Sequence, residues 1–121
     1  MSTERHVCSL EMSRRLAAAG FPQECAFAWW EQEGHTYPGE SDLTRIARGA
    51  EHLCAAPMLS EIMEQMPPGT EARAWRMLDG PLAWSALARF DSPGTIVEVH
   101  RGGPTGPDAA GALWLALRGE K

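Results

Sequence analysis

Residues 82–90 carry an apolar side chain at every second position. The alternating residues are Leu82, Trp84, Ala86, Ala88 and Phe90. This period of two predicts a β-strand with one buried face, because successive side chains of a strand point to opposite sides of a sheet. Segments 71–77 and 95–100 are predicted strands as well, and the turn residues Asp79-Gly80 and 91–94 separate the three. We therefore expect the second half of the chain to form an antiparallel three-stranded meander.

Three other segments repeat their apolar residues every three or four positions, which is the period of an α-helix with one buried side. The first spans Ser9–Ala19; Ser9 can cap it, and Gly20 follows where helices often end. The second begins after Pro57, and the third spans 107–118. The apolar stripe of the second helix consists of Leu59, Ile62, Met63 and Met66.

A loop rich in glycine and proline, residues 101–107, precedes the third helix. Anions can bind where such a loop opens a helix, but this loop matches no phosphate-binding motif, and Pro104 and Pro107 lack backbone donors. Thr105 is better interpreted as the N-cap of the helix. Asp108, three residues later, is the expected acidic partner in a capping box.

The segments between the first two helices give weaker signals. Residues 25–32 are apolar and aromatic and predict a strand, and residues 52–56 predict a second, short strand. Residues 34–42 carry Gly, Pro, Ser and Asp, which predicts a loop or a loose hairpin. Residues 43–50 have some helical character, which Gly49 weakens.

Together these elements predict an α+β fold. We expect an antiparallel sheet of four to five strands with about three helices packed on it, because helices are interspersed with hairpins along the chain. The chain has 121 residues, and a chain of this length buries roughly two-thirds of its unfolded surface without metal or disulfide support. We therefore assign residues 1–121 to a single α+β domain.

The formal net charge of −5 argues against general nucleic-acid binding, because contact with phosphate favours a basic surface. A weaker hypothesis of nucleic-acid contact requires Arg73, Arg76, Arg89 and Arg101 to form one stripe. The sequence contains no apolar run of the ~18 residues that a membrane helix needs and no evident signal peptide. The three cysteines are an odd number and suit reduced thiols. We expect a cytoplasmic protein that does not contact a membrane.

Three segments resemble a known group of proteins. They are 8–24, which begins Cys-Ser-Leu-Glu-Met-Ser-Arg-Arg-Leu; 55–67, which contains Leu-Ser-Glu-Ile-Met-Glu-Gln-Met; and 108–117, which reads Asp-Ala-Ala-Gly-Ala-Leu-Trp-Leu-Ala-Leu. In this order they resemble small uncharacterised bacterial proteins associated with phages and mobile elements. The resemblance implies an architecture and a genomic context, and the group has no established activity. Met58 stands where those proteins tend to carry a helix-capping Thr.

Histidine and cysteine supply the candidate chemistry. His52 and Cys54 are expected to share one face of a strand. Zinc sites usually contain close ligand pairs, and the chain has no CxxC or HxxxH motif, so we predict no metal site and no cofactor. A cysteine paired in space with His52 or His100 would be a candidate nucleophile. No local signature supports such a pair, and cysteine is among the most buried residue types.

Five tryptophans in a chain of this length form an unusually aromatic set. Trp84 and Trp114 fit the predicted core, whereas the neighbours Trp29 and Trp30 cannot lie on one core face unless the strand is bulged. Trp30 and Trp75 are either covered by helices on both sheet faces or exposed beside arginines, as aromatic residues are at interfaces. The candidate interaction surface consists of Trp30, Trp75, Arg73 and Tyr37.

The function predicted from these features is that of a non-enzymatic accessory or binding protein that acts through protein–protein contacts. Its ligand would be a protein partner or a second copy of the chain. The alternative is a small-molecule-binding domain or a small enzyme that uses His52, His100 and a cysteine in one pocket. The first hypothesis requires exposed aromatic side chains, and the second requires its polar groups to converge within hydrogen-bond reach.

Overall fold

The computed structural model describes residues 6–77 and 83–119, and these residues form an α+β fold, as predicted. Within these two ranges no helix is long and apolar enough to span a membrane. The proposed hairpin turn at Asp79-Gly80 lies outside the described residues. The elements in chain order are α1 (Leu10–Ala18), β1 (Phe27–Gln32), β2 (His35–Glu40), α2 (Leu43–Ala47), β3 (Glu51–Ala55), α3 (Leu59–Glu64), β4 (Glu71–Arg76), β5 (Trp84–Ser92), β6 (Thr95–Gly103) and α4 (Gly106–Leu117).

In the described residues the strands form two antiparallel sheets of three strands each, rather than the single sheet of four to five strands predicted from the sequence. The first sheet has the order β2-β1-β3, and the second has the order β4-β5-β6. The extra strand is β2, in the segment predicted as a loop or loose hairpin, and it pairs with β1 along its whole length. The described residues also contain four helices instead of about three, since the weak signal after residue 42 is α2.

The first sheet buries both neighbouring tryptophans, on opposite faces, and carries a β-bulge on β3. Trp29 is opposite Cys54 and Trp30 is opposite His52, so Leu53 is the extra residue on β3. Trp29 packs in a cluster with Val7 and Cys54, whereas Trp30 packs in a different cluster. The sheet is therefore covered on both faces, and each tryptophan has a core of its own.

Small side chains bring the second sheet close to α4. Ala86 and Ala88 on β5 are fully buried against Ala109 and Leu113 of α4. At the end of β6, a Cβ added to Gly103 would lie only 2.7 Å from the backbone nitrogen of Ala109. This approach requires glycine at that position, because real side chains essentially never come so close to backbone.

Helix α4 is the central helix of the fold. Its Leu113 packs on the second sheet, and its Ala110 and Trp114 pack with α1. Gly111 admits the Met12 side chain of α1, because an added Cβ would lie 2.9 Å from Met12 Cγ. A helix with apolar neighbours on several sides is buried rather than amphipathic. Helix α4 therefore connects α1 to the second sheet, a contact that the sequence pattern does not predict.

The helix caps agree with the sequence in part. Ser9 caps α1 through a 3.2 Å bond from the Met12 amide, and Thr105 caps α4 through a 3.3 Å bond from the Asp108 amide. The predicted role of Asp108 in a capping box is wrong. Its carboxylate accepts a 2.8 Å hydrogen bond from the Ser9 amide and so joins the starts of α1 and α4.

Helix α3 begins without a capping side chain, since Met58 has no hydroxyl or carboxylate. Glu61 replaces the missing cap. Its Oε1 accepts from the Met58 amide at 2.8 Å, and its Oε2 accepts from the Ala26 amide at 3.0 Å. One carboxylate therefore fixes both the start of α3 and the entry to β1.

Candidate interaction surface

Helix α4 covers one face of the second sheet, and the opposite face is open to solvent. The covered face carries the small residues of β4 and β5, whose alternate neighbours point the other way. We call this other side the outer face. Its side chains are Glu71, Arg73 and Trp75 on β4, Ser85, Leu87, Arg89 and Asp91 on β5, and Ile96, Glu98 and His100 on β6.

Apolar and aromatic side chains lie among the charges of the outer face. Trp75 is 36% exposed and Ile96 is 62% exposed. Leu87 lies at the centre, where its cross-strand neighbours Arg73 and His100 reduce its exposure to 6%. The exposed apolar side chains of the face therefore lie on its two outer strands, among charged residues.

The charges of the outer face alternate in sign across the strands. Glu98 lies 3.5 Å from the guanidinium of Arg89 and 3.9 Å from the imidazole of His100. The Arg73 guanidinium lies 5.7 Å from the centre of the Trp75 ring, within cation–π range. These contacts are solvent-exposed and therefore add little stability.

The structure brings together two of the four sequence-predicted surface residues. Arg73 and Trp75 are neighbours on the outer face. Trp30 is only 2% exposed and belongs to the core of the first sheet, where its Nε1 donates to the Gly39 carbonyl at 3.3 Å. Trp30 therefore does not contribute to an exposed surface, because it packs with Ala50 and Tyr37 in its own cluster.

Tyr37, the fourth predicted surface residue, lies on β2 of the first sheet and is half-buried. Its hydroxyl donates to Gln32 Oε1 at 3.2 Å, and the Arg45 guanidinium lies 5.8 Å from its ring centre. Tyr37 thus belongs to a different sheet from Trp75. The four residues do not form one surface.

A shallow groove of about 250 Å³ lies above Trp30. Helix α2 forms one wall with Leu43 and Ile46, which are 82% and 52% exposed. Cys25 and His52 also line the groove, and the His52 ring meets the Trp30 ring edge-on at 5.3 Å. This arrangement can accept a small apolar group.

The described structure does not bring His52, Cys54 and His100 together in one site. The bulge at Leu53 places His52 beside Trp30 and Cys54 beside Trp29, on opposite faces of the sheet, so the expected common face is wrong. His100 lies on the outer face of the second sheet. In the described part of the chain, no three His, Cys, Asp or Glu residues form a metal-ligand cluster.

Burial keeps the three thiols protonated. Desolvation raises the pKa of Cys8 and of Cys54 above the ordinary thiol value. Desolvation, together with the Glu61 carboxylate, raises the pKa of Cys25 to about 11. An activated cysteine has a lowered pKa because the thiolate is the nucleophile. The pKa values of these three thiols are shifted in the opposite direction.

The four arginines of the nucleic-acid hypothesis do not form one stripe. Arg73 and Arg89 lie on the outer face, where Glu71 and Glu98 lie between and beside them. Arg76 and Arg101 occupy strand positions that belong to the opposite face of the sheet. Acidic residues interrupt the positive charge, so the geometric requirement of that hypothesis is not met.

Sequence reasoning missed most of the outer face. The interaction surface predicted from the sequence contains none of Leu87, Ile96, Glu98 and His100, although the alternation that places Ala86 and Ala88 in the core also puts Leu87 on the other side. The signal was therefore present in the period-two pattern. It identifies the members of a face, but not whether a helix covers that face.

Comparison with known proteins adds no relative. A scan against protein-family models finds no match, and searches of curated proteins and of solved structures find no similar chain.

Proposed function

We propose that the protein is a non-enzymatic accessory module that binds another protein through the outer face of its second sheet. The proposal extends to the phage or mobile-element context that the three sequence segments indicate. The observation that carries it is the exposed Trp75 beside Arg73, next to the apolar centre at Leu87. Tryptophan and arginine are the residue types most enriched at binding hot spots.

The electrostatics of the cysteines favour a binding role over covalent chemistry. Cys25 is the cysteine that lines a groove with a histidine, and its raised pKa leaves it overwhelmingly protonated at neutral pH. Binding through the outer face needs no activated group. It needs exposed apolar side chains among polar ones, and Trp75 and Ile96 are such side chains on that face.

The test compares Trp75→Ala with Leu43→Ala in affinity capture from the source cells. Both substitutions remove an exposed apolar side chain, one from the outer face and one from α2. We expect a specific protein captured by the native chain to bind Trp75→Ala at least about 30-fold more weakly, as for a hot-spot tryptophan. Leu43→Ala should leave its binding unchanged. Equal capture by all three chains would refute the proposal.

A second candidate function is the binding of a small apolar molecule in the groove above Trp30. The supporting observation is that Leu43 and Ile46 form an exposed apolar wall next to His52. Binding of an anilinonaphthalene fluorophore tests it. The function predicts saturable binding that Ile46→Asp abolishes and Trp75→Ala leaves intact, whereas the same weak binding by every variant would contradict it.

A further inference from the structure

Strand β6 forms an open edge of the second sheet. In the part of the chain that the structure describes, it pairs with β5 on one side and with no strand on the other. It is nine residues long and includes the β-branched residues Thr95, Ile96, Val97 and Val99. A long edge strand of this composition readily pairs with another chain.

The pattern of backbone hydrogen bonds in the sheet identifies which residues direct their N–H and C=O groups to that edge. The Met77 amide donates to the Ala83 carbonyl at 2.6 Å. Met77 and Ala83 are the next opposed pair after Arg76 and Trp84, so they are a hydrogen-bonded pair in the register of β4 and β5. Backbone groups alternate direction along a strand, so odd-numbered residues of β5 bond to β4 and even-numbered ones bond to β6. Their partners on β6 are odd-numbered. The residues that direct N–H and C=O groups to the open edge are Ile96, Glu98, His100 and Gly102. The His100 carbonyl accepts a 2.7 Å hydrogen bond from Arg101 Nη1 on the exposed side of the strand, and pairing with another strand would replace this bond.

We propose that β6 pairs antiparallel with β6 of a second copy of this chain, joining the two second sheets into one six-stranded sheet. The two-fold axis passes beside Val99, the middle residue of Thr95–Gly103. In this register Glu98 is opposite the partner's His100, and His100 is opposite the partner's Glu98. Each copy thus contributes the same two side chains to two equivalent carboxylate–imidazole pairs.

Charge and length select this register among the alternatives. A shift of one residue would put outer-face side chains on the covered face of the partner. Two allowed alternatives shift the register by two residues. Centring on Glu98 brings two Glu98 carboxylates together, which is unfavourable, and centring on His100 places two imidazoles opposite each other and overlaps only residues 97–103. The register centred on Val99 pairs opposite groups and also overlaps all nine residues of the strand.

The other edge of the sheet, β4, fits a second copy less well. Its charge-matched register places Glu71 opposite the partner's Arg73 and is centred on Ala72. Because β4 begins at Glu71, that register overlaps only residues 71–73. Pro67-Pro68 lies just before the strand, and proline cannot donate to a ladder.

This pairing is independent of the proposed function, because it uses the edge of β6 rather than Trp75. The outer faces of the two copies would lie side by side in the joined sheet. Trp75, on β4, would remain at the distal edge of each copy. Failure of one proposal therefore leaves the other to be judged on its own test.

The first experiment is amide hydrogen exchange of the full chain at low and high concentration, alongside sedimentation equilibrium. We expect a concentration-dependent dimer. In the monomer the odd-numbered amides of β6 should be protected by β5, and dimerisation should add protection at residues 96, 98, 100 and 102. The odd-numbered amides are the internal control. A chain that stays monomeric up to about 1 mM, or a dimer without this alternating gain, overturns the proposal.

The second experiment changes the paired charges. His100→Glu places like charges opposite each other twice and should weaken the dimer about tenfold, whereas His100→Lys should tighten it. The exchanged pair Glu98→Lys with His100→Glu should restore the affinity of the native chain. His35→Glu, on an exposed residue of the first sheet, is the matched control and should change nothing. A dimer that responds equally to His35→Glu and His100→Glu, or that the exchange does not rescue, overturns the register.

Discussion

Asp108 offers the sharpest test of how the two ends of the fold are joined. It is 7% exposed in the first turn of α4, and its carboxylate accepts the Ser9 amide at 2.8 Å. A hydrogen bond to a charged group contributes about 2 kcal/mol, and a carboxylate near a helix N-terminus adds about 0.5 kcal/mol. Asp108→Ala removes both and leaves the half-buried Ser9 amide without its acceptor. We expect the free energy of unfolding to fall by about 2.5 kcal/mol, which corresponds to a loss of about 10 °C in Tm.

Asp108→Asn separates the two contributions. The amide oxygen still accepts from Ser9 but carries no charge, so we expect a loss of about 1 kcal/mol. Thr105→Ala removes the cap of the same helix without touching the link to α1, and should also cost about 1 kcal/mol. Urea denaturation followed by tryptophan fluorescence measures all three variants. If Asp108→Ala costs no more than Thr105→Ala, the link between α1 and α4 contributes nothing beyond ordinary capping.

Four further substitutions test the packing and the thiols. Gly103→Ala should destabilise the fold by about 3 kcal/mol in urea, because its Cβ would meet the Ala109 backbone. Gly111→Ala should cost only about 1 kcal/mol, since helix propensity offsets part of the strain against a flexible methionine; equal losses would refute the distinction. Leu113→Ala should cost about 3 kcal/mol in the same assay, and a loss below 1 kcal/mol would contradict its fully buried position. Stability should also decline as the pH rises from 9.0 towards about 11, because the folded state holds the Cys25 proton more tightly than the unfolded chain does. Cys25→Ala should reduce that decline, and an unchanged pH profile would exclude the thiol as its source.

Periodicity predicted the elements that bury one clear stripe or face. Helix α1, with its Ser9 cap, and strand β5 lie where the sequence placed them to within a few residues. Strand β2 was missed because its own sequence has little strand character. It contains Pro38 and Gly39, and it is held by pairing with β1 rather than by an alternating pattern. Proline is tolerated there because β2 is an edge strand.

The bulge at Leu53 limited what sequence could predict about the first sheet. The adjacent tryptophans indicated that a bulge would be needed for a shared face, but the irregularity is on β3 and both rings are buried on different faces. One extra residue on a neighbouring strand is invisible to a pattern read along β1. The same residue separated His52 from Cys54, so a local packing feature removed a candidate metal pair.

The openness of the outer face follows from the number of layers and is not by itself evidence of function. A three-stranded antiparallel sheet with one covering helix layer leaves its other face in water, and such faces are normally polar. Here the face keeps Leu87 in its centre, Ile96 on one side and Trp75 on the other. A purely solvated face has no physical need for these three side chains, because none of them packs in the cores that α4 completes. The composition of the face, rather than its exposure, is therefore what favours a protein-binding role.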